Sequence, residues 1–336
     1  MARQDPPAIP SADPVQRLVA DLARAHIPAR CLHVVADSGV ADAVGPNGAT
    51  PGEIAAHVGL DADALDRMLR LLAAHGIFEL TADGRRYGHS PASSLLRSDH
   101  PHSLRSYVRM NGMPAFWDRY TELAATARAG RPKHDFASLV SYLAAHPEES
   151  AIFNAAMVSK SRTVLPAVAA AYDFGSARTI VDVGGGRGHL LQLILDRTPS
   201  ARGILFELDY VIADTAATPR LELVHGDFFA GPLPVADAYL LMDVLHDWND
   251  ADAARILATV RKAAPPSARV LVIETLVAEA PGPHFGKSLD ITMLAVTGGR
   301  ERTEAQYRAL FAAAGFRLAR VLPTAAQYSI VEAITV

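Results

Sequence analysis

The 336-residue chain is half hydrophobic and carries a formal charge of −4. That length accommodates two domains with cores of their own, and the mild acidity gives no electrostatic reason to expect nucleic acid or an anionic membrane as a partner. The single cysteine, Cys31, excludes an internal disulfide and a cysteine-rich zinc site.

The opening stretch MARQDPPAIPSADP has charge and proline but no apolar h-region, so it is expected to be a flexible leader rather than a signal peptide. No uncharged apolar run approaches the ~20 residues that a membrane helix needs. A soluble, cytoplasmic protein is the expectation. Residues 14–44 place Leu18, Val19, Leu22, Ile27, Leu32 and Val35 at helical spacing. Thr50, Pro51 and Glu53 then form a capping-box start, Gly59 breaks the helix, and Asp61 begins a second one carrying Leu65, Met68, Leu69 and Leu72. GIFELTADGRRYGHS predicts two short strands around the turn Asp83-Gly84.

Helix, turn, helix and β-wing is a winged-helix plan, which raises DNA binding as a function. Charge argues against it. Between Thr50 and Arg86 the arginines are Arg67, Arg70, Arg85 and Arg86, against Glu53, Asp61, Asp63, Asp66, Glu79 and Asp83. A recognition helix beginning DADALD meets phosphates with the wrong sign. The plan reads instead as a packing or dimerisation module.

Residues 103–174 are helical and aromatic-rich, with Phe116, Trp117, Tyr120, Phe136, Tyr142 and Phe153 read as core aromatics of a connector. After Phe174 the pattern changes. ARTIVDVGG, ARGILFEL, LELVHGD, ADAYLLMDVL and ARVLVIETL are apolar, β-branched runs separated by helical or loop stretches. That alternation predicts a parallel sheet with helices on both faces.

IVDVGGGRGHLL follows the first of these strands and opens a helix. Gly184, Gly185, Gly186 and Gly188 let backbone approach a ligand where a Cβ would collide. The loop is not G-x-G-x-x-G, since the last position counted from Gly184 is His189. Alone it is compatible with NAD, FAD or an adenosyl ligand. Asp182 precedes the glycines, where a carboxylate suits a cationic amino-acid end and repels a pyrophosphate. Glu207 ends the second strand, where an acid binds ribose hydroxyls, and Asp227 and Phe228 follow the third, suited to an adenine amino group and ring face. Singly, Asp182 reads as a strand-end cap and Phe228 as a core aromatic. The four in strand order describe S-adenosylmethionine (SAM), a zwitterion with ribose and adenine and no phosphate. DVLHDWND then sets His246 past the fourth strand, as a general base, a metal ligand or a capping residue; no second histidine at short spacing supports a metal.

VDVGGGRG, FEL, GDFF, LHDWND, IE, LDITML and GGRERT…LFAAAGF, in this order, resemble the SAM-dependent O-methyltransferases of the plant caffeic-acid and bacterial polyketide-tailoring type. The resemblance covers nearly the whole chain. It implies a Rossmann-like, doubly wound α/β domain preceded by a mostly helical winged-helix domain that forms an intertwined homodimer. The expected boundaries are 1–102 for the dimerisation domain and 103–336 for the connector and catalytic domain. It also implies that His246 is the catalytic base, oriented by Glu274 and Glu301. The cofactor residues become Asp182, Gly184, Gly186, Glu207, Asp227, Phe228 and Ser161. Met157 and Met293 would clamp an aromatic acceptor, with Asp290, Phe153 and Asn154 also on the acceptor side. The chain departs from the family in three places. Met242 stands where plant members carry a lysine, Glu207 where many relatives have Asp, and Asn249 where HDWDD is common.

A phenol has a pKa near 10, so only ~1 in 1,000 molecules is ionised at pH 7. A histidine of ordinary pKa near 6.5 can take that proton during attack, an effect of typically ~10²–10⁴-fold. The sequence reading is therefore a homodimeric, metal-independent O-methyltransferase that uses SAM, yields S-adenosylhomocysteine and acts on an aromatic small molecule, with no nucleic acid or membrane partner. The alternatives are N- or C-methylation on the same scaffold, a SAM-binding relative performing hydroxylation or decarboxylation, and a winged-helix regulator responsive to SAM.

Overall fold

The computed structural model describes residues 13–213 and 215–336; the expected leader, apart from residues 13 and 14, lies outside them. Two compact units result, Met1–Gly112 and Met113–Val336.

In the first unit the predicted caps form. The Thr50 hydroxyl accepts from the Glu53 N–H at 3.3 Å while the Glu53 carboxylate accepts from the Thr50 N–H at 2.7 Å, opening the helix Pro51–Val58. Asp61 accepts from the Ala64 N–H at 2.9 Å and opens Ala62–Ala74. Strands β1 (Phe78–Leu80) and β2 (Tyr87–His89) pair antiparallel about the predicted turn. Ile54, Leu65, Leu69, Phe78 and Tyr87 are buried and bind these elements into one core with Val35 of the helix His26–Asp37. The helix Pro14–Arg24 contributes nothing to it: Val15, Leu18, Val19 and Leu22 form an apolar stripe between 59% and 68% exposed.

The second unit is built on a seven-stranded sheet. Its strands are β3 (Thr179–Val183), β4 (Arg202–Glu207), β5 (Leu221–His225), β6 (Ala238–Met242), β7 (Arg269–Glu274), β8 (Phe316–Pro323) and β9 (Ser329–Thr335), in the order β5-β4-β3-β6-β7-β9-β8. The five strands read from the sequence pair in parallel, and β9 and β8 extend the sheet antiparallel. All five residues of β3 are buried, as a parallel strand covered on both faces requires. Val181 and Val183 pack in the cluster on one face, and Ile180 in the cluster on the other. The order reverses between β3 and β6, because β4 lies on one side of β3 and β6 on the other. Ligands bind doubly wound sheets at the carboxyl ends of the strands flanking such a switch. The glycine loop, Glu207, Asp227, His246 and Glu274 all lie at or just beyond those ends.

Candidate active site

The chain leaves β3 through the glycine loop and enters the helix His189–Arg197, with Gly184, Gly186 and Gly188 in the left-handed region that favours glycine. Asp182 lies beneath this loop, 1% exposed, and a side chain at Gly185 would run into its carboxylate. Neither Asp182 oxygen has a hydrogen-bond partner within the protein. Burial, with a contribution from Glu207, pushes its carboxyl up to about 7. A buried carboxylate without a donor calls for a cation, and the ammonium of an amino-acid ligand is one. Glu207 is tied to the loop: its two oxygens accept from the Gly186 N–H at 3.0 Å and the Leu208 N–H at 2.8 Å. Burial raises its pKa, and the two N–H donors oppose that. Each oxygen keeps a further lone pair for a ribose hydroxyl. Asp227 is exposed, with one oxygen accepting from the Phe229 N–H at 2.8 Å. The half-buried Phe228 ring passes close to Gly184, so that a Cβ there would lie 3.5 Å from it and 3.1 Å from Val244. Val244, on the segment that carries His246, thus lies directly against the loop.

His246 sits in a single 3₁₀ turn, Leu245–Asp247, and is 7% exposed. Its Nδ1 lies 2.7 Å from Glu301 Oε1, and its backbone N–H donates to Glu274 Oε1 at 3.0 Å. The two acids therefore divide the work: Glu301 holds the ring and Glu274 holds the backbone. A carboxylate on Nδ1 fixes the proton there and leaves Nε2 as the nitrogen that gains and loses one. Nε2 faces two further carboxylates, Asp243 and Asp247, each at 3.9 Å. Burial alone would lower the imidazole pKa. Asp247, Glu301 and Asp243 outweigh burial and push it up to about 10, far above the ordinary value assumed from the sequence. Glu274 also accepts from the Tyr307 hydroxyl, and burial raises its carboxyl.

The turn is braced from outside. Arg302, with no exposed surface, donates to the carbonyls of Leu245 at 3.0 Å and Trp248 at 2.9 Å and pairs with Asp250. The Arg300 N–H donates to the His246 carbonyl at 2.7 Å, and Gly299 packs so closely on the His246–Asp247 backbone that no Cβ fits there. Asp290 accepts from the Glu301 N–H at 3.0 Å, which gives this expected acceptor residue a hold on the orienting acid.

The remaining expected residues sit on two helices. Phe153, Met157 and Ser161 are half-buried on Pro147–Ala171, with Phe153 stacked 6.3 Å from Phe116, while Asn154 is exposed. Met293 is buried on Phe285–Val296. Beside that second helix lies an open cleft of about 770 Å³ lined by Tyr120, Phe285, Ile291 and Thr292. Four residues escaped the sequence reading: Asp243, Lys160, Tyr328 and Tyr307. Among the described residues, no cluster of three or more His, Cys, Asp or Glu side chains is arranged to hold a metal ion. No helix of theirs is long and apolar enough to cross a membrane.

Residues 120–317 match the O-methyltransferase domain, and residues 20–99 match the O-methyltransferase dimerisation domain. The chain belongs to this O-methyltransferase family. Phenazine O-methyltransferase PhzM of Lysobacter antibioticus is 39% identical over 311 residues, covering 90% of this chain and 91% of its own. The calicheamicin-biosynthesis methyltransferase CalO1, solved in its S-adenosylhomocysteine-bound form, superposes with a TM-score of 0.85 at 36% identity, over 97% of this chain and all of its own. The family also reaches nitrogen acceptors, since the 8-amino-8-demethylriboflavin N,N-dimethyltransferase of Streptomyces davaonensis is 33% identical over 90% of each chain. The O-methyltransferase assignment supports the fold class expected from the sequence, a Rossmann-like catalytic domain behind a dimerisation domain.

Proposed function

We propose that this O-methyltransferase transfers the methyl group of SAM to a phenolic hydroxyl of an aromatic small molecule, with His246 taking the hydroxyl proton and no metal taking part. The observation that carries the reading is the 2.7 Å contact between His246 Nδ1 and Glu301, which holds the ring by one nitrogen while Nε2 faces Asp243 and Asp247. SAM supplies, when bound, a methyl group already activated on a sulfonium. Asp182 would hold its ammonium, Glu207 its ribose, and Asp227 and Phe228 its adenine; the half-buried Ser161 lies on the acceptor helix. Phe153, Met157 and Met293 offer apolar surface to an aromatic acceptor.

The crowd of carboxylates changes how the base works. With its pKa near 10, the imidazole is charged at neutral pH before an acceptor arrives. A phenol has nearly the same pKa, so the hydroxyl proton and the imidazolium proton are held about equally. Before transfer the bound pair must lose one proton to water, a step that becomes easier as pH rises toward 10, and the proton that remains is shared between oxygen and Nε2. The oxygen becomes the nucleophile as that proton moves to Nε2, and the ring keeps it after the methyl group has moved.

His246→Asn tests the reading. Turnover is expected to fall by about 10²–10⁴-fold, with SAM affinity in calorimetric titration nearly unchanged. Equal loss of both would make His246 a structural residue. The kinship with an N,N-dimethyltransferase supports a second reading, methylation of an aromatic amine. Parallel phenol and aniline panels with labelled SAM separate the two. The dimerisation domain and the bare apolar stripe on Pro14–Arg24 support a homodimer.

A further inference from the structure

Asp243 is, among the described residues, the single non-glycine position in the left-handed region, with φ of 54°. Aspartate tolerates that conformation better than most side chains, and the surroundings hold it there. Three elements do so. The Asp243 N–H donates to the Ile273 carbonyl of β7 at 3.3 Å. Tyr328, just before β9, donates its hydroxyl to Oδ1 at 2.8 Å. Lys160, on the helix Pro147–Ala171, sets its ammonium 3.0 Å from Oδ2 and 5.3 Å from the Tyr328 ring centre. The same Oδ1 faces His246 Nε2 at 3.9 Å.

We propose that Asp243, clamped by Lys160 and Tyr328, is a positioning residue whose carboxylate faces the working nitrogen of His246 and stabilises the charge the ring carries once it holds the acceptor's proton. The inference rests on His246 being the base. Lys160 has a defined part. Asp243, Asp247, Glu301 and Glu274 crowd one imidazole, and like charges so packed push one another toward protonation. The ammonium keeps Asp243 ionised, below the usual carboxylate range despite its burial. The charged and titratable groups around the ring are then Glu301 and Arg302 from the loop before Glu304–Ala313, Tyr307 from that helix, Glu274 from β7, Asp247 from the turn itself, and Asp243 with its partners Lys160 and Tyr328. Asp243 and Asp247 are the two that face Nε2, and only Asp243 is locked by a cation and a hydroxyl on separate elements.

The test reads the ring directly in the full-length protein, without substrate. The His246 imidazole is followed by nitrogen-15 NMR across pH, with His246→Asn assigning the signal. Asp243→Asn is expected to lower the midpoint by about 1–3 pH units, the range for removing an adjacent opposite charge. Near pH 10, where the ring titrates, Asp243 stays ionised even without the cation, since the other buried carboxyls of the site are raised only to about 6 or 7. Lys160→Met therefore removes only the ammonium's opposition to the ring charge, and its midpoint is expected to rise. Opposite signs are what a charge network produces; a merely structural role would carry both variants toward the free-histidine value. An unchanged midpoint in Asp243→Asn, or two variants falling alike, overturns the proposal. In turnover assays the rising limb of the Asp243→Asn pH profile is expected at lower pH. Should His246→Asn keep full turnover, the base reading fails and the catalytic role of Asp243 with it, while the NMR midpoints still report whether the two groups are coupled.

Discussion

Replacing Asp182 by Asn keeps the shape of the buried side chain and removes its charge. In the folded chain this carboxyl titrates near 7, against 3.8 when unfolded, because it is buried without a donor and close to Glu207. The folded pKa is the higher of the two, so the stability linked to it is fully present below about pH 4 and is lost as pH rises through 7. The loss is 1.36 kcal/mol for each pH unit between the two values, about 4 kcal/mol by pH 8. Asn avoids that loss but leaves an unpaired amide, costing about 1–3 kcal/mol at every pH. The comparison of two pH values cancels the amide: from pH 5 to pH 8 the parent should lose about 3 kcal/mol more than Asp182→Asn. For a unit of this size that is a relative shift of about 6–12 °C in melting temperature. Thermal melts of both proteins at pH 5 and pH 8, without ligand, measure it. SAM affinity should fall in the variant, since the ammonium loses its carboxylate. A melting difference that is the same at both pH values refutes the reasoning, because Asp182 would then carry no penalised charge in the folded chain.

Gly299→Ala places a methyl group against the His246–Asp247 backbone, and turnover should drop at least ~10-fold, as displaced catalytic groups do, while SAM still binds. With His246 as the proposed base the deprotonated imidazole is the competent form, so kcat/KM should rise with pH from 7 toward 10; a limb centred on 6.5 would mean the surrounding carboxylates do not act on the ring. Activity should survive a chelator at millimolar concentration, and loss restored by magnesium would remove the metal-free reading. Leu18→Asp with Leu22→Asp, on the exposed stripe, should shift sedimentation from dimer to monomer; a parent that is already monomeric defeats the dimer.

The fold was legible wherever one local rule decided it. The capping box at Thr50, the turn at Asp83-Gly84 and the five buried parallel strands each follow from a few neighbouring residues. β8 and β9 were not legible, and Glu332 shows why. It stands in the middle of SIVEAIT and reads as a break in a core strand, yet it has no exposed surface. Arg269, Arg320 and the Tyr172 hydroxyl all converge on its carboxylate from other elements. Such partners offset the desolvation that would otherwise keep an acid out of a sheet, and none is near it in sequence.

The candidate site divides along the same line. Loop glycines, the strand-end acids and His246 were visible because a strand followed by a tight loop exposes whatever comes next, so position along the chain nearly equals position in space. The charge state of His246 was not visible, because it is a sum over distant residues: Asp243 and Asp247 are near neighbours, but Glu301 arrives from 55 positions away. Lys160 lies farther still, and its pairing with Asp243 depends on the long helix Pro147–Ala171 crossing the carboxyl edge of the sheet. A sequence motif can thus point to a candidate base, while its proton affinity belongs to the assembled fold.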